Sequence, residues 1–204
     1  MGVIDDLKLG PATLDRLRLF AALVEKWNPK INLVARSTLQ DLWSRHIEDS
    51  ARLCLYQSGP VAKWVDLGSG GGFPGLVVAA ILQDRGADTR VVLVESDQRK
   101  AVFLREAARQ MALANVEIRM DRAESLPPQA AGIVSARALA ALPALCDLAA
   151  RHLAPGGICL FPKGERFADE VAEARAKWHF DLETSENPGH KGAALLVLRN
   201  LRRA

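Results

Sequence analysis

Val65-Asp-Leu-Gly-Ser-Gly-Gly-Gly-Phe-Pro-Gly75 carries the strongest structural signal in this 204-residue chain. An apolar run ends at Asp66-Leu67, five glycines follow within the next eight residues, and Pro74 stands where a helix is expected to begin. Proline suits a first helical turn, because the N–H that it lacks has no helical partner there. A glycine-rich turn from strand to helix is, in an open α/β sheet, a favoured site for a nucleotide-like ligand.

Two classes of cofactor compete for this turn. Gly70-x-Gly72-x-x-Gly75 formally fits the fingerprint of dinucleotide-binding proteins, but in that fingerprint the first glycine follows the strand directly, and here that glycine is Gly68. Counted from Gly68, the pattern is Asp-x-Gly-x-Gly-x-Gly, with Phe73 in place of the third fingerprint glycine. The carboxylate of Asp66 suits a cofactor with an ammonium and a sulfonium, whereas it would repel a pyrophosphate. The turn therefore favours S-adenosylmethionine, and a purely structural role for the glycines remains the alternative.

Strands and helices alternate regularly around this turn. Short apolar runs predict strands at residues 64–67, 91–95, 116–120, 133–136 and 158–162, and helical periodicity predicts helices at 75–83, 98–113, 142–152 and 167–176. This alternation is typical of βαβ units in a largely parallel sheet. Residues 177–183 and 193–200 are strand-like without a helix between them, and their connection contains Asn187-Pro-Gly189. We expect a hairpin that places an antiparallel strand at the end of the sheet.

A helical extension is predicted ahead of the sheet. Apolar residues at three- and four-residue steps predict a helix over residues 13–27, capped by Thr13 and stopped by Asn28-Pro29. Ser37-Thr-Leu-Gln40 has the form of a capping box and predicts a second helix that reaches about Tyr56. We therefore divide the chain into an extension over residues 1–60 and a cofactor-binding domain over residues 61–204, packed as one compact unit.

Composition limits the classes of function. The hydrophobic fraction of 49% and the charged fraction of 25% are ordinary for a globular protein, and the longest apolar run is far shorter than the roughly 20 residues of a membrane span. No secretory signal is recognisable at Met1, so we expect a cytoplasmic protein without a membrane partner. Three widely spaced cysteines and four histidines without ligand spacing predict no metal. The net charge of +3 is compatible with a polyanionic partner but does not require one.

Carboxylates after the second and third strands support an adenosine site. Glu95 ends the second predicted strand, where a carboxylate can accept both hydroxyls of a ribose, a feature shared with NAD-binding proteins. Ala123 and Glu124 follow the third strand and can bracket an adenine, although an ordinary polar loop is an equal alternative. An unremarkable surface role for Glu95 also remains open.

Taken in order, these motifs resemble the bacterial small-subunit rRNA guanine-N7 methyltransferases, also called the glucose-inhibited division protein B family. The resemblance covers nearly the whole chain. It rests on Asn32-Leu33, Arg45-His-Ile-Glu-Asp-Ser50, the loop from Asp66 to Gly75, Glu95-Ser-Asp-Gln-Arg-Lys100, Asp121-Arg-Ala-Glu124, Ser135-Ala-Arg-Ala138 and Phe161-Pro-Lys-Gly164.

The resemblance implies a Rossmann-like class I methyltransferase fold and the transfer of a methyl group from S-adenosylmethionine to a guanine N7 of 16S rRNA near the decoding centre. It places Glu95 at the ribose. The other cofactor contacts that it implies are Gly68, Phe73, Ala123, Glu124 and Arg137. Together with Asp66 and Gly70 these form the predicted cofactor site.

Arg137 is the predicted catalytic residue. It follows the fourth strand, and we expect its guanidinium to hold the cofactor's carboxylate, a phosphate or the O6 edge of guanine; a structural salt bridge is the alternative. Lys163, at the end of the fifth strand, is a weaker candidate for a phosphate contact, and His46 either orients RNA or packs. Arg36 and Lys100 complete the candidates for RNA contact. The expected partner is 16S rRNA, naked or in the small subunit, and we expect a monomer without an obligate protein partner.

The chemistry of N7 explains why no acid–base pair stands out. Guanine N7 has a lone pair and no proton to remove, so orientation suffices. The Pro-Cys of cytosine-C5 methyltransferases is missing, since Ser135-Ala-Arg137 stands at the fourth strand, and Leu126-Pro-Pro-Gln129 is not the motif of amine methyltransferases. There are three rival interpretations. A small-molecule methyltransferase is disfavoured because the sequence offers no separate lid domain, and a nicotinamide oxidoreductase because of the register of the glycine-rich turn. A non-catalytic binding module is disfavoured because the residues of the turn are intact.

Overall fold

The computed structural model describes residues 3–186 and 192–204. Seven strands form one sheet in the order β3-β2-β1-β4-β5-β7-β6. The strands are β1 (Lys63–Leu67), β2 (Arg90–Val94), β3 (Val116–Arg119), β4 (Ala131–Ala136), β5 (Leu153–Lys163), β6 (Trp178–Glu186) and β7 (Ala194–Arg203). The first five pair in parallel, as predicted.

The antiparallel end of the sheet is confirmed, and the strand that runs against the others is β7. It lies between β5 and β6 and pairs antiparallel with both, so the edge strand β6 runs in the same direction as β5. The predicted connection at Asn187-Pro-Gly189 lies outside the described residues. β5 also starts earlier than predicted, because Leu153 already pairs with Ala131 before a register shift in the β4–β5 ladder.

Helices cover both faces of the sheet. They are α1 (Val3–Asp6), α2 (Pro11–Ile31), α3 (Asp49–Arg52), α4 (Gly75–Asp84), α5 (Gln98–Gln110), α6 (Leu142–His152) and α7 (Phe167–Arg175). The predicted helices at 75–83, 98–113, 142–152 and 167–176 correspond to α4 to α7. Successive residues of β1 serve opposite faces, as side-chain alternation along a strand requires: Trp64 joins the core under α2, α4 and α5, and Val65 joins the core under α6 and α7.

The predicted stop of the first helix at Asn28-Pro29 is wrong. α2 continues through Pro29 to Ile31 and ends at Asn32, whose φ of 49° is left-handed. Pro29 lies in the last turn, where it removes only one helical hydrogen bond. The buried Asn28 fixes the chain just beyond the helix, because its side-chain oxygen accepts a hydrogen bond of 2.8 Å from the backbone N–H of Val34.

The predicted capping box at Ser37 is also wrong. Residues Arg36–Thr38 form a 3₁₀ turn, in which the Thr38 hydroxyl donates back to the carbonyl of Ala35 at 2.8 Å. The second helical segment begins only after this turn, with a π-helix at Trp43–Glu48, then α3, then a 3₁₀ turn at Leu53–Tyr56. Such wide turns are frequent at functional sites, and this one directs His46 and Asp49 towards the carboxyl ends of the strands.

The N-terminal segment shares its hydrophobic core with the sheet. Leu17, Phe20 and Val24 of α2 are fully buried, in the same cluster as the buried residues of α4. Among the described residues, no helix combines the length and the apolar character needed to cross a membrane. Within the same ranges, His, Cys, Asp and Glu side chains nowhere gather in threes to hold a metal ion.

The chain order places a crevice at the centre of the sheet. From β1 the chain moves outward through β2 to β3, then returns to the other side of β1 for β4. In open α/β sheets, ligands bind at the carboxyl ends of the strands where the direction of winding reverses. Here that point lies between β1 and β4, directly after Leu67 and Ala136.

Candidate functional site

A cavity of about 420 Å³ opens at this reversal point. The glycine-rich turn forms its floor, and the residues after β2, β3 and β4 form its walls. The structure brings together here seven of the predicted cofactor residues, which are Gly68, Gly70, Phe73, Glu95, Ala123, Glu124 and Arg137.

The glycine-rich turn leaves the side of the cavity open at Gly70. This residue has a φ of +54°, which favours glycine, and the nearest atom to an added Cβ is the Gly68 carbonyl at 3.7 Å. The next residue is packed instead: a Cβ on Gly71 would lie 2.9 Å from the carbonyl oxygen of Leu33. The turn thus presents bare backbone to the cavity on one side and rests on the N-terminal segment on the other.

Glu95 ties the turn to the start of α5. One of its carboxylate oxygens accepts the backbone N–H of Gly70 at 2.8 Å, and the other accepts the N–H of Asp97 at 2.7 Å. The side chain is buried, yet each carboxylate oxygen retains a second lone pair for a ligand hydroxyl. Glu95 therefore both shapes the cavity and offers acceptors to it.

The wall at Ala123 is supported by a residue that the sequence did not single out. His152, fully buried at the end of α6, has Nε2 2.8 Å from the carbonyl oxygen of Ala123, so Nε2 carries the proton and donates it. Arg151 donates to the carbonyl of Leu126 at 3.0 Å. Nothing in the local sequence marks these contacts, because they join residues that only the packing of α6 brings together.

Asp66 is placed differently from the other predicted cofactor residues. It is fully buried beneath the turn and does not line the cavity. Its carboxylate accepts the hydroxyl of Ser135 at 2.8 Å and the backbone N–H of Gly75 at 3.2 Å, while Ser135 in turn accepts the indole N–H of Trp64 at 2.9 Å. The carboxylate thus connects β1, β4 and the start of α4. In this structure Asp66 holds the shape of the turn.

Burial raises the pKa of Asp66 to about 6 from its ordinary 3.8, against the opposing hydrogen bonds from Ser135, Ser69 and Gly75 and the charge of Arg137. A carboxyl whose pKa is raised by folding contributes stability that is fully present below the unfolded pKa and is lost as the pH rises through the folded pKa. We therefore expect the free energy of unfolding to gain about 2–3 kcal/mol from this group as the pH falls from 7 to 4.

The Asp66→Asn variant isolates this contribution. Urea unfolding of both proteins between pH 4 and pH 7.5 gives the difference in unfolding free energy, in which the other carboxyls cancel. The unfolding free energy of the wild type minus that of Asp66→Asn should increase as the pH falls from 7.5 to 4. A pH-independent difference would contradict the raised pKa.

Arg137 lies where the cavity meets a second opening. Its guanidinium carbon is 5.0 Å from the centre of the Phe73 ring, and its Nη1 donates to the carbonyl of Arg45 at 3.3 Å. Burial lowers its pKa to about 10, and the charges of Asp49 and Asp66 oppose that shift. The side chain therefore remains a cation at neutral pH, held against an aromatic face.

The second opening is a groove of about 610 Å³ beside the cavity. The cavity and the groove have Leu33, Arg137 and Ala138 in common. Two of the predicted RNA contacts, His46 and Lys163, line this groove. His46 packs against Phe73, with 5.1 Å between the ring centres, and its Nε2 lies 2.8 Å from the Thr38 hydroxyl oxygen.

The remaining predicted RNA contacts have separate positions. The ammonium of Lys163 already pairs with Glu170 at 2.5 Å and donates to the carbonyl of Ala140 at 2.9 Å, with only 9% of its side chain exposed. Lys100 is half-buried and lines the cofactor cavity. Arg36 is exposed on its 3₁₀ turn and lines neither the cavity nor the groove.

Comparison with solved structures shows the fold. A SAM-dependent methyltransferase from Aquifex aeolicus aligns with a TM-score of 0.60 at 11% identity, over 78% of this chain and 92% of that chain. M. jannaschii TYW2 in complex with AdoMet aligns with a TM-score of 0.58 at 16% identity, over 80% of this chain and 78% of that chain. The Rossmann-like methyltransferase fold predicted from the sequence is therefore confirmed.

Comparison with curated sequences shows the family. Ribosomal RNA small subunit methyltransferase G of Cereibacter sphaeroides (strain ATCC 17029 / ATH 2.4.9) is 50% identical over 199 residues, 98% of this chain and 96% of that protein. The protein of the same name from Rhodospirillum centenum is 51% identical over 189 residues, 93% of this chain and 85% of that protein. Residues 13–196 match the family described as rRNA small subunit methyltransferase G, GidB. The chain belongs to this family.

Proposed function

We propose that this protein transfers a methyl group from S-adenosylmethionine to N7 of a guanine in 16S rRNA near the decoding centre. One observation carries the proposal beyond family membership: the cofactor cavity meets a separate groove at Arg137, so a donor and a large acceptor can occupy adjoining sites. The proposed partner is 16S rRNA, naked or in the small subunit, and the proposed enzyme is a cytoplasmic monomer.

The residues around the cavity fit S-adenosylmethionine. The cavity's size lies within the usual range of small-molecule sites, and the open side of Gly70 admits a ligand against the backbone. Glu95 offers acceptors for ribose hydroxyls, and the backbone around Ala123 offers hydrogen bonds to an adenine edge. The lining carries the acidic Asp121 and Glu124 and the basic Lys100, Arg122 and Arg137, a mixture that suits a ligand with both cationic groups and a carboxylate. When bound, S-adenosylmethionine supplies an electrophilic methyl group on a sulfonium.

The protein's own contribution is orientation rather than proton transfer. Guanine N7 attacks with a lone pair and carries no proton, so no side chain has to act as a general base. Arg137, at the junction of the cavity and the groove, packs on the ring of Phe73 in the cavity, and this pair limits the positions that an acceptor can take. The cation of Arg137 also suits the O6 atom that neighbours N7 in guanine.

The test is methyl transfer from radiolabelled S-adenosylmethionine to rRNA and small subunits that lack the modification, followed by chromatographic identification of the labelled nucleoside. We expect 7-methylguanosine in at least one of the two substrates. Label in a different nucleoside would overturn the N7 specificity. Binding of the cofactor without any incorporation would overturn the choice of substrate.

A further inference from the structure

The groove is placed to receive the acceptor base. Methyl transfer requires the reacting atoms within about 3–3.5 Å of each other, so the acceptor must enter through a space that adjoins the cofactor cavity. This groove meets that requirement, because it shares the lining residues Leu33, Arg137 and Ala138 with the cofactor cavity.

The walls of the groove suit a single unstacked base. Pro162, together with the small exposed parts of Val34 and Leu195, supplies apolar surface against which the face of a purine can pack. Enzymes that modify a base draw it out of the stack into such a pocket and read its Watson–Crick edge by hydrogen bonds. The polar groups of the groove therefore decide which base is accepted.

Three carboxylates line the groove, and they differ in their surroundings. Glu170 is engaged with Lys163 and also accepts the backbone N–H of Leu142 at 2.7 Å. Glu165 is exposed at the rim. Asp49 is half-buried and lines the groove together with Arg137, and its charge opposes the lowering of the pKa of that arginine by burial. Of the three carboxylates, Asp49 combines partial burial with a position beside the junction.

We propose that the groove holds the target guanine and that Asp49 accepts hydrogen bonds from its N1–H and its N2 amino group. The assignment rests on the proposed function. Around the purine, N7 is followed by O6 and then by N1 and N2. A base with N7 towards the cofactor and O6 at Arg137 therefore turns its two adjacent donors towards the groove lining beside Arg137, where Asp49 lies. Adenine has no donor at N1 and no amino group at C2, so this carboxylate selects guanine.

The same contact favours the reaction itself. Forming the bond to N7 leaves the purine positively charged, while the donor's sulfur becomes neutral. A carboxylate at N1 and N2 therefore interacts more strongly with the product-like transition state than with the neutral base, and only such differential interactions raise kcat. Loss of the charge at Asp49 should consequently lower kcat as well as raise KM for RNA.

The first test needs no change in the protein. Once the methylated position is located, 16S rRNA is assembled by ligation with either guanosine or inosine at that position and is presented in whichever form the wild type methylates, naked or reconstituted into the small subunit. Inosine keeps N7, O6 and N1–H but lacks the N2 amino group. We expect the wild type to methylate the inosine RNA at least tenfold less efficiently in kcat/KM. Equal methylation of both RNAs would overturn the proposal.

The second test compares Asp49→Asn with the matched control Asp41→Asn, which changes an exposed aspartate ahead of the same helical segment. We expect Asp49→Asn to bind S-adenosylmethionine with unchanged affinity, to lose at least tenfold in kcat on guanosine RNA, and to discriminate less against inosine RNA. Asp41→Asn should behave as the wild type. If Asp49 only supported Arg137, activity would fall equally on both RNAs, and the unchanged ratio would overturn the proposal.

The outcomes separate this inference from the function on which it rests. A wild type that labels no guanine N7 contradicts the proposed function. A wild type that labels N7 in guanosine and inosine RNA alike leaves the function standing and removes the role of Asp49.

Discussion

Arg137→Ala is expected to lower the rate of methyl transfer by about 100- to 1,000-fold, the usual effect of removing one well-placed donor from an active site. Arg137 is the cation that the cavity and the groove share, and its guanidinium packs on Phe73. Its loss would remove the proposed contact to O6 and the guanidinium that packs on the Phe73 ring. The fall should appear mainly in kcat.

Single-turnover methyl transfer on rRNA, together with the affinity for S-adenosylmethionine, measures this effect. The matched control is Arg18→Ala, which removes an exposed arginine of α2 that lines neither the cavity nor the groove. Arg137→Lys keeps the charge but not the planar fork, and it should restore only part of the rate. If Arg137→Ala retained wild-type activity, the junction would not be the place of methyl transfer.

Gly75→Ala is expected to lower the free energy of unfolding by about 3 kcal/mol, at the upper end of the usual cost of overpacking. A Cβ at this position would lie 2.1 Å from Cδ2 of Leu93 and 2.8 Å from Oδ2 of Asp66. Both neighbours are fully buried. The added methyl group therefore has to displace the carboxylate that anchors the turn, and cofactor affinity should fall together with stability.

Urea unfolding at pH 7 measures the loss, and Gly164→Ala is the control, since a Cβ there meets nothing within 4 Å. The control should change the unfolding free energy by less than about 0.5 kcal/mol. A Gly75→Ala protein with wild-type stability would show that β2 and the turn can move apart, contrary to the close packing seen here.

Local patterns predicted most of the sheet and its helices. The strands buried on both faces read as short apolar runs, and the helices that cover them keep the helical period, so each element was visible in its own residues. The insertion of β7 between β5 and β6 was not visible, because two strands joined by a loop are compatible with either order. The N-terminal turns were missed for a related reason: the side chains of Asn28 and Thr38 bond to residues outside the local motif.

The candidate site was predicted where a residue's type and its place after a strand were informative. Gly70, Glu95 and Arg137 follow three strands whose carboxyl ends meet in space, and they line one cavity. Asp66 also stands at the end of a strand, but it lies under the turn, where its carboxylate accepts a hydrogen bond from Ser135 on the neighbouring strand. The hydrogen bond from His152 to the carbonyl of Ala123 depends on tertiary packing alone, and no sequence pattern predicts it.

The separation of the groove from the cofactor cavity bears on how substrate preference diverges among relatives. Most of the groove is built from segments that contribute nothing to the cavity, such as those carrying His46, Pro162 and Leu195. Substitutions there can change which RNA is accepted while the donor site stays intact. Leu33, Arg137 and Ala138 belong to both spaces, so a change at any of these three positions must satisfy the methyl donor and its acceptor at once.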